Sequence, residues 1–178
     1  FAPYLASNYS PLLRLRANQW TGAIQKAMGN LTSAHNHYQT ALGLAETDND
    51  RRTTLWSLVQ LALDQNKFFE AVQHLPTLVS LTPESKARQK LKQRTVNLIF
   101  LNLDLPEIEL LMQQMKSSFP AGYLAIRRAQ QLINRKEPKA ARIQLAQFLK
   151  NFGNHPLKKQ AQKLVRSIEE QKTHKPES

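Results

Sequence analysis

The apolar positions of this chain recur at helical spacing from residue 11 onward. Ala34, Tyr38 and Ala41, for example, lie three to four residues apart, as on one face of a helix. No segment alternates apolar and polar residues as a half-buried strand does. Polar clusters, glycines and prolines separate the periodic segments, which predict nine helices over residues 11–28, 32–46, 51–65, 68–80, 83–102, 104–118, 121–134, 138–151 and 156–171.

Several helix ends are predicted from local chemistry. Ser10 before a proline is a typical helix start, and Gly29 is typical of a left-handed residue that ends a helix. We expect Asp50 to cap the third helix and the segment 82–84 to begin the fifth. Pro76 lies inside the fourth helix, where it removes a backbone donor and predicts a kink or a break.

The buried faces are predicted from the same spacing. The fourth helix is expected to bury Ala71, Val72, Leu75, Leu78 and Val79. The first helix is expected to present one apolar face made of Leu12, Leu13, Leu15, Trp20 and Ile24.

The pattern also repeats along the chain. Ala34, Ala71 and Ile108 follow one another at intervals of 37 residues, and Pro83 and Pro120 keep the same interval. Ala141, with Phe148, gives a fourth and weaker copy after 33 residues. Self-similarity of this length is typical of stacked helix pairs, because one pair cannot bury its own apolar face.

The segment that contains Gly29-Asn30-Leu31, Ala34, Tyr38 and Ala41 resembles the second-helix pattern of the tetratricopeptide-repeat family. Gly22 falls where that family has a small residue in its first helix. Leu58-Val59 in place of the family's Leu-Gly pair departs from the pattern, as does Pro76.

The resemblance implies an all-α fold: a right-handed solenoid of about four antiparallel helix pairs with a C-terminal capping helix. The solenoid with its capping helix would cover residues 11–171, between an extended segment 1–10 and a disordered tail 172–178. A non-repetitive helical bundle is the alternative.

Composition limits the classes of function. The 178 residues include no cysteine, so disulfides and thiolate metal sites are excluded. No apolar run approaches the ~20 residues of a membrane helix. Because the chain begins at Phe1, we expect that a leader or an upstream domain has been removed. The net charge of +12 is uneven: residues 1–80 hold six Lys/Arg and five Asp/Glu, whereas residues 81–178 hold nineteen and eight.

Catalytic and metal-binding chemistry is sparse. His35 and His37 are two residues apart on a predicted helix, so they point to different sides and do not form a metal pair. The chain has no glycine-rich phosphate loop and no nucleophile elbow. We therefore predict a protein that is not an enzyme and has no cofactor or metal.

The basic run at residues 85–94 is the most specific polar feature. Lys86, Lys90 and Arg94 recur every four residues and share a helix face, although like charges at this spacing repel by a few tenths of a kcal/mol per pair, roughly. The resemblance implies that the first helix of each pair lines a groove, and it places there Trp56, Gln60, Lys90, Arg94, Asn97, Tyr123, Arg127 and Gln130.

The family's carboxylate clamp would be only half present. Lys90 and Arg94 match clamp positions, whereas Gln19, Ala23 and Ser57 stand at the others. A solvated basic face is the alternative for the basic run, and core packing is the alternative for Trp56 and Tyr123.

These observations predict a scaffold that binds an acidic peptide or partner helix in its groove. Backbone-directed nucleic-acid binding is an alternative, since Lys158, Lys159, Lys163 and Arg166 form a second basic row, but aromatic interleaving is lacking there. A structural arm of a larger protein is another. The segment 148–164 is similar to repeat ends of bacterial envelope proteins, which implies the periplasm, with the cytoplasm as alternative.

Overall fold

The computed structural model describes residues 9–115 and 119–173, with side chains up to residue 170. Within these residues all regular structure is α-helical, and no strand is present. The helices are α1 (Pro11–Ala27), α2 (Leu31–Gly43), α3 (Asp48–Asp64), α4 (Phe68–Leu81), α5 (Lys86–Asn102), α6 (Leu105–Gln114), α7 (Ala121–Asn134), α8 (Pro138–Asn151) and α9 (Lys158–Thr173). The all-α prediction is confirmed. The predicted segment 1–10 lies outside the described residues up to residue 8, as does the predicted tail beyond Thr173.

The chain forms two compact units, Phe1–Thr95 and Val96–Ser178. In the first unit α1 packs on α2, α2 on α3 and α3 on α4. In the second unit α6 packs on α7, α7 on α8 and α8 on α9. Three of the predicted pairs, α1–α2, α3–α4 and α7–α8, are therefore in contact. The third predicted pair, α5 with α6, crosses the boundary between the units because α5 contributes to both.

The residues that carry the predicted repeat lie in the cores. Ala34, Ala71, Ile108 and Ala141 are each completely shielded from solvent. Tyr38 packs with Ala34 in the first unit, in a cluster that also contains Leu58 and Leu61. In the second unit the core cluster includes Ala141, Leu145 and Phe148.

Three contacts connect α1 to α3. Arg16 pairs with Asp50 at 2.8 Å, Gln19 donates to Thr54 Oγ1 at 2.8 Å, and Lys26 pairs with Asp64 at 2.6 Å. The partners are separated by 34, 35 and 38 residues, in the same order along both helices. Polar contacts therefore link these two helices to each other.

Helix ends follow local capping chemistry, with two corrections. Ser10 Oγ accepts from Leu13 N, and Gly29 has φ of 81°, as predicted. Asp50 does not cap α3; Thr47 does, because its Oγ1 accepts from Asp50 N at 3.1 Å and donates to the Asp50 carboxylate at 2.8 Å.

α5 begins at Lys86 and not at residue 83. Thr82 donates its hydroxyl to Leu78 O at 2.7 Å and so completes the end of α4, whereas Ser85 Oγ accepts from Arg88 N at 3.4 Å.

The predicted inner face of α1 is wrong in four of five residues. Leu15 is buried, but Leu12, Leu13, Trp20 and Ile24 are exposed. Small and polar residues form the inner face instead: Ala17, Asn18 and Gly22 are buried with Leu15. Gly22 lets α2 approach closely, because a Cβ there would lie 2.7 Å from Tyr38 Cε1.

Of the two outcomes predicted at Pro76, the break is wrong, because α4 continues through it, and the kink stays a prediction. The predicted inner face of α4 (Ala71, Val72, Leu75, Leu78 and Val79) is buried as expected. Burial of these five side chains, at about 1.5–3 kcal/mol for each Val or Leu, outweighs the roughly 3 kcal/mol that an internal proline costs.

Candidate functional site

The basic row on α5 is defined here as Lys86, Lys90 and Arg94. All three side chains are exposed, and none of them makes an ion pair within the described residues. The opposite side of α5 faces the interior, where Thr95 is fully buried and donates its hydroxyl to Leu91 O at 2.9 Å. Burial of Thr95 therefore holds the basic row toward solvent.

The sequence provides almost no acid to neutralise this row. Glu84 is the only acidic residue between Glu70 and Asp104. Its carboxylate is already engaged, since it pairs with Arg88 at 2.6 Å and accepts from Gln89 Nε2 at 2.9 Å. Repulsion along the row, a few tenths of a kcal/mol per pair, roughly, is thus not relieved by an ion pair within the described residues.

Two other predicted site residues lie on α3 in the same unit. Trp56 is 42% exposed, so it is not a core residue. Gln60 lies one turn later and is half-buried, and its Nε2 is shielded from solvent without a hydrogen-bond partner. Trp56 therefore offers an exposed aromatic ring to a ligand, whereas the Gln60 donor is enclosed within the protein.

The remaining four predicted residues belong to the second unit. Asn97 is exposed on α5, and Tyr123, Arg127 and Gln130 occupy one side of α7, where all three are half-buried. Arg127 Nε is shielded from solvent without a hydrogen-bond partner. The eight predicted residues therefore divide equally between the two units.

Tyr123 has a packing role. Its ring lies 4.5 Å from that of His155 and 5.8 Å from that of Phe119, both edge-on. His155 also packs edge-on against Phe148 at 5.3 Å, and its Nδ1 accepts from Leu157 N at 3.2 Å. Burial lowers the pKa of His155, so the neutral ring is favoured in this cluster.

The positions that would complete a carboxylate clamp are used internally. Gln19 donates to Thr54 and accepts from Arg16 Nη1 at 2.9 Å, and Ser57 Oγ donates to Thr53 O at 3.3 Å. Ala23 is exposed but has no polar atom in its side chain. Lys90 and Arg94 consequently have no clamp partners at these positions.

Sequence reasoning missed one polar cluster, in the second unit. Arg128 on α7 reaches Glu109 on α6 at 2.9 Å and Gln144 on α8 at 2.6 Å, and so connects three helices. A pocket of about 130 Å³ with a mixed polar and apolar lining lies beside it, with Met112, Phe148 and Gln144 among its lining residues. No spacing rule brings these residues together, because their separations depend on how the helices pack.

The second basic row, on α9, is exposed as well. Lys158, Lys159, Lys163 and Arg166 all face solvent, and none makes an ion pair in the described part of the chain. Residues 119–170 hold eleven Lys/Arg and three Glu, a net charge of +8. This surface can attract a polyanion but offers no exposed aromatic ring on α9 for base stacking.

Groups of metal-ligating side chains and membrane-spanning helices are both absent from the described residues. No three His, Asp or Glu side chains there come together as a metal site would require. None of the helices in this part of the chain has the length and apolar character to span a bilayer.

Comparisons with protein-family models, with curated proteins and with solved structures found no significant match to this chain.

Proposed function

We propose that this chain is a non-enzymatic protein-interaction module of the tetratricopeptide-repeat kind, and that the basic row on α5 binds an acidic peptide or the acidic face of a partner helix. The contacts between α1 and α3, 34 to 38 residues apart, support a stack with a common step. The buried residues Ala34, Ala71, Ile108 and Ala141 support the same arrangement, at intervals of 37, 37 and 33 residues.

The observation that carries the proposal is the unneutralised charge of the basic row. A helix that keeps three cations on one face, without an acid of its own to pair with them, is favoured when an external anion supplies the partner. Peptide carboxylates are suited to this, because Lys90 and Arg94 are one turn apart and can be reached by acidic residues of an extended or helical ligand.

We propose Trp56, on α3 of the same unit, as a second contact of the ligand. Exposed tryptophans are over-represented among residues that dominate binding energy, because one ring covers a large apolar area with little loss of entropy. We therefore expect the preferred ligand to combine two or more acidic residues with one apolar side chain.

Fluorescence polarisation with labelled peptides tests the proposal. The panel contains peptides with two to four Asp or Glu residues and one Leu or Trp, and matched peptides with Asn or Gln in place of the acids. For the double variant Lys90→Glu, Arg94→Glu we expect a loss of about 3 kcal/mol, or roughly 100-fold in affinity, with unchanged urea stability.

The matched control is Lys159→Glu, Lys163→Glu on α9, which changes the net charge by the same amount. We expect it to weaken peptide binding by less than about threefold through the general field alone. Equal affinity for wild type and the α5 variant, or equal losses in both variants, would remove the basic row from the site.

Nucleic-acid binding is the second candidate, favoured by the exposed row on α9 and the net charge of +8 on residues 119–170. Gel shifts with random duplex and single-stranded DNA at 50 and 200 mM salt test it, since backbone-directed binding falls by about 10³ or more over this range when six phosphates are contacted. The same two variants separate the candidates: α9 reversal should abolish DNA binding and spare the peptide.

A further inference from the structure

The most solvent-exposed residues of α1 are apolar. Every exposed residue of this helix, together with the Met28 that ends it, has an apolar side chain: Pro11, Leu12, Leu13, Trp20, Ala23, Ile24, Ala27 and Met28. Pro11 lies on the side of the helix opposite Trp20, so the other seven residues are defined here as the outer face of α1. Trp20 is 54% exposed, and Met28 is 67% exposed.

The charged residues of α1 are less exposed, although Arg16 lies on the same side of the helix as Leu13 and Trp20. Arg14, Arg16 and Lys26 are only half-exposed, and the latter two pair with carboxylates of α3. The inner face contains buried Asn18, whose Oδ1 lies 3.0 Å from His37 Nδ1. The usual distribution, with apolar residues inside and charges outside, is thus reversed on the outer side of this helix.

The exposed area of this face is close to the area that one partner contributes to a standard protein interface. From the fractional exposures of its residues, the outer face of α1 presents about 700 Å², larger than the biggest apolar patch on most monomers and close to the roughly 800 Å² per partner of a standard interface. Two copies of it would bury about 1,400 Å², enough for a stable dimer.

The chemistry of the face also identifies its partner. No residue of the outer face of α1 is charged, and Arg16 beside it is already paired with Asp50, so the face gives an acidic peptide or an anionic headgroup less to bind than the basic rows on α5 and α9. A second identical face therefore brings no unpaired like charges together despite the net charge of +12. Trp20 follows Leu13 by seven residues and Ile24 follows Trp20 by four, so the three side chains form one row along the helix. Side chains at this spacing can interdigitate with those of a second packed helix.

We propose that the outer face of α1 is a homodimer interface, in which α1 of one copy packs on α1 of a second copy about a two-fold axis. Trp20 lies at the centre of the interface, between Leu13 and Ile24. This interface is independent of the proposed peptide site.

Sedimentation equilibrium from 1 to 200 µM at 150 mM salt tests the proposal. We expect the 178-residue chain, of 20.4 kDa, to sediment as a dimer, and Trp20→Glu to raise the dissociation constant at least 100-fold. Trp56→Glu is the matched control: it places the same charge at the other exposed tryptophan, on α3, and should leave the dissociation constant within threefold. Far-UV circular dichroism verifies that both variants keep the helical content of wild type.

A second readout does not require a charge at the interface. In Trp56→Phe, Trp20 is the only tryptophan, and its emission should shift to shorter wavelength as the protein is concentrated and the ring is buried. A monomer at 200 µM overturns the proposal, as does a dimer that survives Trp20→Glu. A monomer whose Trp20 emission shifts only on addition of phosphatidylcholine vesicles also overturns it, and makes a lipid surface the occupant.

Discussion

Gly22 allows α1 and α2 to pack closely, and replacing it tests that packing. A Cβ at this position would lie 2.7 Å from Tyr38 Cε1, 2.9 Å from Cδ1 and 3.1 Å from Cζ. The Tyr38 ring cannot easily move away: it is 4% exposed, packs with Ala34, Leu58 and Leu61, and has its hydroxyl in contact with Ser57. Gly22→Ala should therefore strain the contact between the two helices.

The expected magnitude is the difference between two effects. Overpacking a filled core costs about 1–3 kcal/mol, whereas alanine is favoured over glycine inside a helix by about 1 kcal/mol. We expect Gly22→Ala to lower the free energy of unfolding by about 1 kcal/mol. Gly22→Val, which is larger and gains less helix propensity, should lower it by about 3 kcal/mol.

Gly43 provides the matched control, because it also lies in a helix but a Cβ there would meet no atom within 4 Å. Gly43→Ala should raise the free energy of unfolding by about 0.5 kcal/mol. The opposite signs of the two alanine substitutions isolate the contact with Tyr38 from helix propensity.

Urea unfolding followed by tryptophan fluorescence is the assay, since both tryptophans, Trp20 and Trp56, lie in the first unit. With a slope of about 1.5 kcal/mol per molar urea, the two alanine variants should differ by roughly 1 M in midpoint. If Gly22→Ala is as stable as Gly43→Ala, the close packing of Tyr38 on α1 is refuted. In a Tyr38→Leu background, the cost of Gly22→Ala should shrink by about 1 kcal/mol.

Two further predictions concern stability. Burial lowers the pKa of His155, so the folded second unit favours the neutral ring. The contribution of this ring to the free energy of unfolding is complete above the unfolded pKa of about 6.5. It is lost as pH falls below that value, because the unfolded chain then binds the proton more readily. Between pH 7.5 and 5.5, wild type should lose more stability than His155→Gln in chemical denaturation followed by far-UV circular dichroism, and equal losses would contradict the assignment. Thr47→Ala removes the cap of α3 and should lower the free energy of unfolding of the first unit by about 1 kcal/mol; a variant as stable as wild type in the fluorescence assay would show that Thr47 Oγ1 does not cap the helix in solution.

The sequence predicts helices well in this chain because their signals are local. The inner face of α4 is predicted in full, since its apolar residues follow the helical period without interruption. The cap of α3 is missed, although Thr47 and Asp50 have the spacing of a capping box, in which the first residue is the cap. The segment 82–84 is predicted to begin α5, but Thr82 instead completes the end of α4. A threonine hydroxyl can complete either the preceding helix or the following one, so the sequence does not decide between them.

The faces of α1 could not be predicted from periodicity. Hydrophobicity predicts that its leucines and tryptophan face the interior, but the interior of this helix is set by a glycine that admits Tyr38 and by cations that reach α3. Both depend on which helix becomes a neighbour. The same limit applies to the predicted groove, because counting along a repeat locates residues on helices and does not describe how α5 continues from one unit into the other.

Hydrogen exchange of the wild-type protein, with and without a saturating acidic peptide from the panel, tests the proposed function most directly. It locates the ligand without altering any charge. The proposal predicts slower exchange in the first turns of α5 and in the part of α3 around Trp56, with α9 unchanged. Protection confined to α9, or no change in α5, would contradict it.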